Sequence, residues 1–100
     1  MLIYNVTIIL EEDIADEWLT WMKDIHIPEV MATHKFTSSR LLKVVDSPNE
    51  GITYCAQYMA ASLADYEAYQ TDFAPALQAK TLARFENKFV AFRSLMQLVD

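Results

Sequence analysis

Glycine is nearly absent from this chain: Gly51 is the only one in 100 residues, beside three prolines. No Gly- or Ser-rich linker, low-complexity segment or repeat is present. Cysteine is equally scarce. Cys55 stands alone, so no internal disulfide can form, which fits a reducing compartment. Basic residues are few: eight Lys and Arg against fourteen Asp and Glu, a formal charge of -6. They do not cluster, so the basic stripe that a nucleic-acid surface needs is missing. The acidic excess also opposes anionic lipid head groups. No apolar run reaches the roughly 18–20 residues that span a bilayer. Residues 2–10 are apolar but lack a basic leader and a small-residue cleavage site, so they do not read as a signal peptide. Together these absences predict a cytoplasmic protein that engages neither nucleic acid nor membrane.

What is abundant is apolar surface. Hydrophobic residues make up 53% of the chain and charged ones 22%. One hundred residues is the length of a single domain, taken here as 1–100. A domain of that size hides only about two-thirds of its surface on folding. The excess predicts a subunit interface, most simply a twofold one between copies of this chain.

The periodicity predicts six elements. Leu2 to Leu10 alternates as a strand, with Leu2, Tyr4, Val6, Ile8 and Leu10 on one side. Glu11-Glu12-Asp13 places acids where a helix N-terminus favours them. A helix from about Asp13 to about Thr33 follows, bent near Pro28. Phe36 to Asp46 and Ile52 to Met59 read as two strands joined by Ser47-Pro48-Asn49-Glu50-Gly51, an antiparallel hairpin. Ser62-Leu63-Ala64-Asp65 is a variant capping box opening a second helix. That helix carries Leu63, Tyr66, Tyr69, Phe73 and Leu77 and is broken at Pro75. Glu86-Asn87-Lys88 leads into a last strand, Phe89 to Val99.

The order β-α-β-β-α-β predicts an α+β, ferredoxin-like fold: a four-stranded antiparallel sheet with both helices on one face. The other face is left uncovered. Alternation assigns it Asn5, Thr7, Thr53, Cys55 and Gln57, with Arg93 and Gln97. Ile3, Ile9, Phe89, Leu95 and Val99 are placed in the same phases. Two such mixed faces packed together would enclose a lined cavity.

Candidate chemistry centres on Trp18-Leu19-Thr20-Trp21-Met22-Lys23-Asp24-Ile25-His26-Ile27-Pro28. On an ideal helix Ile14, Trp18, Trp21, Met22 and Ile25 share one face, and His26 lies at its edge. Pro28 deprives the Asp24 carbonyl of its usual partner. His26 reads either as a general base or donor toward a small organic compound, or as an imidazole bonded to the backbone that Pro28 frees. The tryptophans read as packing. His34 reads as a helix-end residue, and its spacing from His26 is not that of a helical metal pair, so no metal is expected. Cys55 is a nucleophile only if a base adjoins it, and otherwise a small buried hydrophobe. Arg40 and Arg93 lie in apolar strands and either clamp a ligand carboxylate or pair with an acid. Tyr54 and Tyr58 pack under a helix. Asn5, Thr7 and Gln57 line a cavity or bond across an interface.

The element order and open sheet face resemble the dimeric α/β-barrel superfamily, in which two ferredoxin-like subunits stack sheet to sheet. Trp21 with His26-x-Pro28 resembles the helix of its EthD-type members. The whole chain is similar to an uncharacterised bacterial family, domain of unknown function 4286. Carrying that likeness are Tyr4-Asn5-Val6-Thr7, Trp21-Met22 through His26-Ile27-Pro28, Phe36-Thr37 with Arg40-Leu41-Leu42, Gly51-Ile52-Thr53-Tyr54, Gln57-Tyr58, Phe73-Ala74-Pro75-Ala76-Leu77 and Lys88 to Arg93. His34 and Asn87 depart from it, standing where glycine-type turn residues are expected. The resemblance implies the fold and a homodimer, but no activity.

Two functions are therefore expected. The first is a homodimer that is non-catalytic or binds a small molecule, with Asn5, Arg40, Tyr54, Cys55, Gln57 and Arg93 as candidate pocket residues. The second is a cofactor-independent enzyme, monooxygenase- or isomerase-like, acting on a small carbonyl or aromatic compound with His26 as base. No cofactor is called for by any motif. The first is preferred, because no paired nucleophile and base, phosphate loop or metal set is present.

Overall fold

The computed structural model describes residues 1–100. β1 (Leu2–Leu10) leads through a short 3-10 turn into α1 (Ala15–Trp21), a π-helical turn (Met22–His26) and α2 (Ile27–Met31). β2 (Ser38–Lys43), β3 (Ile52–Ala60), α3 (Leu63–Asp72), α4 (Ala74–Phe85) and β4 (Phe89–Gln97) follow. The strands form one antiparallel sheet in the order β2-β3-β1-β4. This is the α+β, ferredoxin-like arrangement that the element order predicts. The shortest extent of the molecule, 19 Å, matches one helix layer on one sheet at about 10 Å spacing.

Register decides which side chains face the helices. Val6 pairs with Ala56 on one side and Arg93 on the other; Leu10 pairs with Phe89, Tyr4 with Leu95 and Leu2 with Gln97. Phe89, Arg93, Leu95 and Gln97 therefore lie on the helix side, opposite to the phase predicted for them. Val90, Phe92, Ser94 and Met96 take the uncovered side. The reason is that β4 is apolar in both phases, so its own alternation carries no information about which side is inward. β2 is shorter than expected at both ends. It is an edge strand with one neighbour, and Phe36 leaves it to enter the core while Val45 is exposed.

Proline and capping behave as the residues dictate. Ser62 Oγ accepts the Asp65 backbone N–H at 3.1 Å, capping α3. Phe73 (φ -125°) separates α3 from α4, and Pro75 sits in the first turn of α4. Leu63, at the start of α3, is exposed rather than packed. Gly51 has φ +88°, and a Cβ there would lie 2.3 Å from the Leu10 carbonyl oxygen. His34 (φ 61°) and Asn87 (φ 65°) also turn on positive φ, as glycine-type positions would.

The core lies between sheet and helices. Trp18 is 1% exposed and packs on Tyr54 with ring centroids 5.2 Å apart. Tyr4, Tyr58, Tyr69 and Phe36 form an aromatic cluster; the Phe36 and Tyr69 rings meet edge-on at 4.8 Å.

Candidate functional site

The π turn positions the histidine. Pro28 has no N–H, and the helix responds one turn earlier by widening: the Ile27 N–H bonds the Met22 carbonyl, five residues back. A π turn rotates less per residue than an α turn. That lag carries Ile25 outward, to 44% exposure, and His26 inward. Ile25 thus leaves the apolar face expected for it. The imidazole stacks on Trp21 with ring centroids 4.9 Å apart and an interplanar angle of 23°.

His26 lines a cavity of about 50 Å³ between sheet and helices. That is room for a few water molecules or a small organic group. Its floor is Tyr4, Val6 and Ile8 from β1, Ala56 and Tyr58 from β3, and Phe89, Ala91 and Arg93 from β4. Trp18, Met22 and His26 roof it, and Tyr69, Gln78 and Thr81 close its side. The walls are mainly apolar with a few placed polar groups, the usual make-up of a small-molecule site.

Three residues of its lining stand out. Burial pushes the His26 imidazole down to about 4, with Lys80 and Arg93 adding to the effect and Glu29 opposing it. His26 is therefore neutral at pH 7. The Tyr58 hydroxyl is buried without a hydrogen-bond partner, and burial raises its pKa well above the ordinary tyrosine value. It stays a neutral phenol. Arg93 is in no ion pair; the ion pairs are Lys80–Glu29, Arg84–Glu17 and Lys88 with Glu11 and Asp13.

The residues singled out from the sequence split into two groups. His26 and Arg93 share the cavity. Asn5, Arg40, Cys55 and Gln57 lie on the uncovered side, where a hydrogen-bond relay joins them. Arg40 Nε donates to Gln57 Oε1 (2.8 Å), Gln57 Nε2 to Asn5 Oδ1 (3.2 Å) and Asn5 Nδ2 to Thr7 Oγ1 (3.0 Å). Thr7 Oγ1 lies 3.6 Å from Cys55 Sγ. Arg40 is thus held by a neutral amide, and Cys55 has no base beside it. Tyr54 packs against Trp18 outside the cavity lining. Sequence reading did not single out Tyr69, Gln78 or Thr81 for the site, and placed Tyr58 only as packing. The available signal was Gln78 and Thr81, polar residues interleaved with the buried Leu77 and Phe85 on one helix.

The sequence profile of the family described as domain of unknown function (DUF4286) matches residues 1–99. The chain belongs to that family. Among curated proteins none matches it in sequence. Among solved structures it is similar to HapK from Hahella chejuensis: 14% identity, covering 100% of this chain and 95% of that one, TM-score 0.72. An ethyl tert-butyl ether D (EthD) family protein from Bacillus halodurans C-125 superposes with TM-score 0.67 at 12% identity, covering 98% of this chain and all of that one. A protein from an uncultured marine organism, described as a dimeric ferredoxin-like protein, gives TM-score 0.60 at 12% identity, with 99% and 95% coverage. At such identities the likeness establishes the fold. No helix is long and apolar enough to cross a membrane.

Proposed function

We propose that this chain is a single-domain cytoplasmic homodimer that binds a small organic molecule in the helix–sheet cavity. The observation that carries the binding reading is the convergence of neutral His26 and of Arg93, which is in no ion pair, on one mainly apolar space. Assembly is supported by the uncovered sheet side, where Leu42, Val90, Phe92 and Met96 are exposed. A structural neighbour described as dimeric agrees with it.

A second reading, cofactor-independent proton transfer from a small carbonyl or aromatic compound by His26, is favoured by the free imidazole in the cavity. Its weakness is basicity. A displacement from 6.5 to about 4 removes about 3 kcal/mol of proton affinity, and efficient bases titrate near the working pH. Binding is therefore the stronger reading.

A thermal-shift screen against a library of small metabolites tests it, run on the native chain and on Thr81→Leu, which fills the cavity from α4. Compounds that raise the native melting temperature but not that of the variant support the cavity as the site. Equal shifts in both proteins, or none in either, would exclude it.

A further inference from the structure

If the cavity is a binding site, as proposed above, its polar lining specifies the charge of what it holds. No Asp or Glu lines it. The nearby Glu29 is committed to Lys80 at 2.6 Å. Arg93, an exposed residue that also lines the cavity, brings a positive charge to it and meets no carboxylate of this chain. The apolar walls leave room for a small hydrocarbon body only.

We propose that the ligand is an anion, a small monocarboxylate, with its carboxylate taken by the Arg93 guanidinium. The planar fork of arginine matches the two oxygens of a carboxylate, and a charge-assisted pair is roughly twice as strong as a neutral one. Tyr58 remains a phenol at neutral pH, so it adds no opposing charge to the lining. The net acidity of the whole chain, -6, makes this local positive potential a property of the cavity and not of the protein at large.

Matched pairs that differ only in charge test the proposal: acetate against acetamide, and propionate against propionamide. Affinities are read by NMR titration, whose amide dispersion also reports that each variant is folded. The native chain is expected to prefer each carboxylate by about 10-fold or more. Arg93→Gln should erase that preference, and Arg93→Lys should keep part of it. Equal or tighter amide binding, or a preference that survives Arg93→Gln, overturns the proposal. So does absence of binding by both carboxylates. In that case neutral compounds shifting the native chain but not Thr81→Leu would still uphold the cavity as a site, so the two failures are distinguishable.

Discussion

Val6 and Arg93 are antiparallel partners across β1 and β4, and this pairing turns the arginine to the helix-covered side of the sheet. One residue of slippage would move it to the opposite side, away from His26. The candidate site therefore depends on a backbone register as much as on any side chain.

His26 makes stability depend on pH. Its ordinary pKa of 6.5 falls to about 4 in the folded chain because of burial, with Lys80, Arg93 and Glu29 the charges that face it. Between those values the unfolded chain binds more protons. Its contribution is complete above about 6.5 and is lost as pH falls toward about 4. A loss of about 2 kcal/mol is expected over that window, after allowance for partial exposure. His26→Gln should flatten the slope between about pH 5 and 7 when urea midpoints are compared. An identical slope in the variant would contradict the assignment.

Asn5, only 8% exposed, accepts from Gln57 and donates to Thr7. Asn5→Ala strands both partners and should cost about 1–3 kcal/mol. A double-mutant cycle with Gln57→Ala should show coupling of about 0.5–1.5 kcal/mol. Strict additivity in chemical denaturation would mean that the relay contributes nothing.

Phe92 is 57% exposed on the uncovered side. Phe92→Asp should leave monomer stability within about 0.5 kcal/mol, as surface changes do. It should shift the sedimentation coefficient of a proposed dimer to that of a monomer at micromolar concentration. A native chain that is already monomeric there would count against a large interface on this side.

Gly51 holds φ +88° against the Leu10 carbonyl. Gly51→Ala should destabilise by more than about 1 kcal/mol, through strain at positive φ and the collision together. Asn87→Gly, also at positive φ, should be close to neutral. Thermal melts of the two variants make the comparison.

Much of the architecture follows from local pattern. Alternation in Leu2–Leu10 and in Ile52–Ala60, the Ser62 cap, the break at Pro75 and the turn at Gly51 each act over a few residues. Their causes are visible in the chain itself. The disturbance at Pro28 was legible too, but its form was not. A missing N–H says that a helix must adjust, whereas the packing of Trp21 and Met22 against the core selects a wider turn over a bend.

By itself, then, the sequence determined the elements, their order and the family, because propensity, capping and turn chemistry are short-range. Only the tertiary structure decided that His26 and Arg93 meet while Arg40 and Cys55 do not. Strand register and the π turn set those meetings. Register arises from contacts between residues far apart in the chain, and the form of the turn from how the core packs around it, neither of which a local window contains.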